Sequence, residues 1–152
     1  MEYRAAWTTG MEFSDRRREI SFQDKHSDVR YVAYNPNNRT VTKFRVDGDL
    51  IKDNESKCDY LMAAERKNPA EHPDFYFVEL KGHDEKTAIR QLERSVELLI
   101  CRRQVDFHSV YCRLVMSRCP NINSSNRVKL DRKMRAMRGN FLQKSRQMEE
   151  TI

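Results

Sequence analysis

The chain has 152 residues, enough for one domain with its own core. Charged residues make up 34% against 38% hydrophobic, and mean hydropathy is −0.89, so the core is lean and the surface heavily charged. No run of about 18 apolar residues exists to cross a membrane as a helix, and the start MEYRAAWTTG lacks the basic-then-apolar pattern of a secretory signal.

The net charge of +6 is uneven. Residues 102–152 hold 12 Lys/Arg against 4 Asp/Glu, whereas residues 1–101 hold 17 against 19. A basic half following an acidic one suits a polyanion held beside a cation-binding acidic site; the plainer reading is a solvated surface. The cysteines, Cys58, Cys101, Cys112 and Cys119, form no C-x-x-C and no Cys/His zinc spacing. Reduced, buried thiols in a cytoplasmic protein are expected.

In chain order, residues 1–28 read as a helical or irregular segment, with FSDRRREI a short helix capped by Ser14. Glu12 and Glu19 there read as surface acids. VRYVAYN is a strand closed by the turn NPNNR. TVTKFRV is a second strand, favoured by β-branched Thr40, Val41 and Thr42, and Asp47-Gly48 signals a hairpin or bulge. With the two strands that follow, residues 29–81 read as a four-stranded antiparallel meander.

The stretch KCDYLMAAERKNPAEHPDFYFVELKGHDEKTAIRQL reads strand, long connection, strand, tight Gly turn, helix. Alternation puts Phe75, Phe77, Glu79 and Lys81 on one face of its second strand and Tyr76, Val78 and Leu80 on the other. Asp59 opens the preceding strand, on the face of Leu61 and Ala63, and comes level with Glu79 if the two strands pair. Two carboxylates then converge within reach of Lys81, a hard-oxygen site of the kind that holds Mg²⁺ or Mn²⁺.

Ala88, Ile89, Leu92, Val96, Leu99 and Ile100 recur at helical spacing behind an Asp84 N-cap. Asp106 to Cys119 is a long strand, added parallel through that helix as a crossover. Ser124 or Ser125 caps a helix over roughly residues 126–138, with Leu130, Met134 and Met137 as its buried stripe and Gly139 as its stop. Phe141 to Gln147 is a final edge strand. The fold class is therefore α/β, a single domain with a central mixed sheet flanked by helices. On the last helix, Arg127, Lys129, Arg132 and Lys133, with Arg118, Ser124 and Ser125 at its start, form a candidate nucleic-acid backbone contact; a solvated basic face is the competing reading.

Asp59, followed by Glu79-Leu80-Lys81 after an aromatic strand and before a Gly turn and an amphipathic helix, resembles the signature of the PD-(D/E)XK nuclease superfamily. Cys58 stands where the family name has Pro. The spacing of Asp59 to Glu79 is long and implies an insertion over Glu65 to Pro73. The resemblance implies a restriction-endonuclease-like fold and hydrolysis of nucleic-acid phosphodiesters. Asp59, Glu79 and the Leu80 carbonyl would hold Mg²⁺ or Mn²⁺, and Lys81 would orient the water. It implies an extra acid from a first helix, for which Glu12 or Glu19 are candidates. It also implies a supporting Gln, for which Gln91 is the candidate, although position 95 is Ser95 rather than Tyr. DNA is the expected substrate ahead of RNA, and cutting two strands would call for a homodimer. The rival is a catalytically inactive domain of the same fold that binds nucleic acid or protein.

Overall fold

The computed structural model describes residues 1–80, 84–120 and 124–152. Its elements are α1 (Tyr3–Ala6), β1 (Met11–Asp15), β2 (Glu19–Gln23), β3 (Arg30–Tyr34), β4 (Val41–Arg45), β5 (Tyr60–Ala64), β6 (Asp74–Leu80), α2 (Glu85–Val96), β7 (Ser109–Met116), α3 (Ser125–Ala136), β8 (Phe141–Ser145) and β9 (Gln147–Thr151). A π-helical segment, Glu97–Cys101, continues α2. Six strands form one sheet in the order β1-β4-β5-β6-β7-β8, and three form another in the order β2-β3-β9. The large sheet is mixed: β1, β4, β5 and β6 run antiparallel in turn, while β7 and β8 are added parallel. This is the expected α/β mixed sheet flanked by helices.

The layers follow from the two faces of β6, whose seven residues are all buried. A strand covered on both faces cannot be half polar. Phe75 and Phe77 pack toward the helices with Ile89, Leu92, Val96, Leu130 and Met134. Tyr76, Val78 and Leu80 pack toward the small sheet, with Ile20, Phe22, Tyr31, Ala33 and Met148. Arg113 ties the two sheets. Its guanidinium donates to Glu150 Oε1 at 2.6 Å, an oxygen that also accepts from the Tyr31 hydroxyl at 2.5 Å.

Two expectations are corrected. The helix over FSDRRREI is absent; β1 and β2 stand there, and the Arg run turns between them, with the Arg17 guanidinium 3.4 Å from the Phe13 ring centre. The only helix before β1 is α1, with Tyr3 packed edge-on against Phe44 and Phe75, followed by Trp7, which does the same. The meander also has a different first strand. β3 hairpins with β2 and joins the small sheet, and β1 takes its place beside β4. The short β2–β3 connection favours that local pairing, and the hairpin's apolar side covers a face of the large sheet that would otherwise meet water.

The helix caps fall where expected, but the strand expected over Phe141 to Gln147 ends at Ser145, and a further strand, β9, follows it in the small sheet. Asp84 caps α2 by accepting from the Lys86 N–H, and Ser124 caps α3 by accepting from the Arg127 N–H. Gly139 serves differently. Arg138 takes the left-handed conformation (φ 63°) at the helix end, and a Cβ on Gly139 would fall 1.8 Å from the Val110 carbonyl oxygen. Gly139 is needed there for close approach. Among the cysteines, Cys58 and Cys112 are buried and Cys119 is half-buried, but Cys101 is exposed, so the expectation of buried thiols fails at that position. No helix among the described residues is long and apolar enough to cross a membrane.

Candidate metal centre

The antiparallel register of β5 and β6 runs Leu61↔Phe77, Tyr60↔Val78. One step further places Asp59 opposite Glu79. Asp59 is held there by the Leu80 N–H, which donates to its Oδ2 at 2.9 Å. Alternation puts Glu79 on the helix face after Phe75 and Phe77, where it is buried. Burial drives its carboxyl well above the usual carboxylate range, and the adjacent Asp59 pushes it the same way. Among the described residues, no cation pairs with either acid.

The pair lies at the base of a cleft of about 570 Å³. One wall is α2, through Asp84, Thr87 and Gln91. The opposite wall comes from the β2–β3 turn, with Lys25 and His26, and from the end of β4, with Arg45 and Asp47. Tyr60 and Glu12 complete the rim. Glu12 comes from β1 and not from a helix, and it is neutralised by Lys43 at 3.1 Å. The Lys43 ammonium also sits 4.7 and 4.6 Å from the Phe22 and Tyr60 ring centres, which fixes this side of the rim. Glu19 is exposed on β2 and does not line the cleft. The Gln91 carbonyl accepts from the Ser95 hydroxyl, whose oxygen in turn accepts from the Cys58 N–H, both at 2.8 Å. Ser95 thus anchors the chain just before Asp59 to α2. Lys81 lies outside the described residues.

The α3 candidates stand apart from this cleft. Ser124 and Arg127 are bonded to Glu85 of α2, and Lys133 pairs with Glu93. Arg118, Ser125, Lys129 and Arg132 are exposed and line none of it. The sequence offered no signal for Lys25, which reaches this wall through the packing of the two sheets, whereas Arg45 follows from the β4–β5 pairing, where it lies opposite Tyr60.

The donor set consists of two carboxyls and, from the resemblance, the Leu80 carbonyl. No group of three or more His, Cys, Asp or Glu gathers at a candidate metal position among the described residues. All-oxygen donors without nitrogen or sulfur fit a hard divalent ion such as Mg²⁺ or Mn²⁺, which retains several waters and needs few protein ligands. No protein-family model, curated protein or solved structure matches this chain.

Proposed function

We propose that the protein is a Mg²⁺- or Mn²⁺-dependent nuclease with a restriction-endonuclease-like fold, hydrolysing phosphodiester bonds of nucleic acid, DNA ahead of RNA. The observation that carries this reading is the buried Asp59–Glu79 carboxyl pair, which has no countercharge among the described residues and lies at the base of an open cleft. Two adjacent carboxyls in a desolvated place meet no cation among the described residues, and a divalent ion would supply one by displacing a proton from the pair.

Asp59, Glu79 and the Leu80 carbonyl would hold the ion. When bound, it lowers the pKa of a coordinated water and offsets charge on the phosphoryl oxygens. The chain's own residues do the rest. The Leu80 N–H fixes the Asp59 carboxylate, and Ser95 fixes the approach of the strand that carries it. Lys81, in this reading, orients the attacking water and faces the developing charge. The α2 wall, with Gln91, closes one side of the substrate's path.

Cleavage of linear and circular DNA, and of single-stranded DNA and RNA, with Mg²⁺ or Mn²⁺ tests the reading. Activity that EDTA removes, and that folded Asp59→Asn and Glu79→Gln chains both lack, is expected. No cleavage of any substrate, together with no metal-induced rise in melting temperature, would overturn it in favour of a non-catalytic domain of the same fold.

A further inference from the structure

We infer that the substrate's phosphate backbone is gripped by Lys25 and Arg45, on the wall made by the β2–β3 turn and the end of β4, and not by the basic helix α3. The inference rests on the nuclease reading and deepens it by assigning the strand-binding track of the same cleft.

Three observations converge. First, position: among the described residues, Lys25 and Arg45 are the only Lys or Arg side chains lining the cleft that holds Asp59 and Glu79. Cations that steer a phosphodiester must flank the reacting phosphate, since their attraction fades over about a Debye length of 8–10 Å. Second, availability: both side chains are exposed. Among the described residues, no ion pair engages Lys25, and the Arg45 side chain makes a 3.9 Å pair with Asp49 and a 3.3 Å bond to the Asp47 carbonyl, both solvent-exposed. Either side chain can turn to an anion at little cost. Third, commitment elsewhere: Arg127, Lys133 and Arg135 of α3 are bonded to Glu85, Glu93 and Asp131. Those to Glu85 and Glu93 clamp α3 onto α2, leaving the helix's charge on the far flank of α2 from the acids.

The two cations contact no base in this assignment. The track reads charge and not sequence, as a polyphosphate backbone requires. The small sheet thereby gains a role: its β2–β3 turn is one jaw of the cleft.

The test is equilibrium binding of fluorescein-labelled single-stranded and duplex oligonucleotides to the full chain in EDTA, where nothing is cut, over a range of salt. Lys25→Ala with Arg45→Ala is expected to weaken binding and lower the slope of log affinity against log salt by roughly 2. Arg118→Ala with Lys129→Ala and Arg132→Ala is expected to leave both close to the parent's values. All five side chains are exposed, and a thermal melt confirms that each variant folds. Binding that survives the Lys25/Arg45 pair, or falls only with the α3 set, overturns the inference while leaving the nuclease reading intact. A parent that binds no nucleic acid overturns the reading and the inference with it.

Discussion

The two ends of β6 each bury a carboxyl, and they are opposites. Asp74, at the start of the strand, is 3% exposed, and so is Glu79 near its end. Asp74 is flanked by two cations, Arg39 at 2.6 Å and Arg66 at 3.0 Å, and by the His108 imidazole at 3.1 Å. Glu79 meets another acid and, among the described residues, no cation. Depth alone therefore does not mark a site. Asp74 is a completed ionic knot that holds the β3–β4 turn and the β5–β6 connection against the sheet. Glu79 is the same kind of group with no complement among the described residues, at the end that opens into a cleft.

The comparison breaks most sharply at the knot. Asp74→Ala leaves Arg39 almost buried with no countercharge, and a loss of about 3–5 kcal/mol in denaturant unfolding is expected. A loss below about 1 kcal/mol would show that the knot is solvated and the contrast with Glu79 overstated.

At the other end, Mn²⁺ at about 100 times its dissociation constant is expected to stabilise the parent by roughly 2.7 kcal/mol. The gain should grow with pH, because binding displaces the proton that burial favours on Glu79. Differential scanning fluorimetry of the parent and of Glu79→Gln measures it, and an equal shift in the two chains would place the ion elsewhere.

Without metal, Glu79→Gln is expected to stabilise the fold at pH 8. The native carboxyl titrates well above the 4.5 of the unfolded chain. The folded parent thus keeps a proton that the unfolded parent has shed, and its stability falls as pH rises from about 4.5 through the raised native value. The amide removes that penalty, so its advantage should fade toward pH 4. A variant that is less stable than the parent at pH 8 would mean that Glu79 is satisfied as an anion. The smallest effect belongs to Arg66→Ala. This side chain is one-third exposed, Arg39 remains on Asp74, and a loss within about 1 kcal/mol is expected from the unfolding midpoint.

The end of β6 that matters was legible in the sequence. Period-two alternation put Glu79 with Phe75 and Phe77, and antiparallel pairing of neighbouring strands levels Asp59 with it. Both are local features of the chain. The β2 strand was also written there, in Glu19-Ile20-Ser21-Phe22-Gln23, whose burial alternates out and in; the preceding Arg run, read as part of a helix, hid it. The small sheet was not legible, because β3 pairs in parallel with β9 from the far end of the chain, and no periodicity encodes a partner. Lys25 depends on that packing, whereas Arg45 is set by the β4–β5 pairing, and the charge density of α3 stood out more than either. The cluster at Asp74 was not legible either, because Arg39, Arg66 and His108 come from three separate places in the chain.

The parallel pairing of β3 with β9 also fixes an order of events. β5 and β6 are near neighbours in the chain, so the acid pair closes a short loop and can form while the chain is still being made. The β2–β3 jaw is backed by a strand synthesised about 115 residues later, and long-range parallel pairing is slow to form. During synthesis the protein thus acquires its acid pair well before the turn opposite it is held in place.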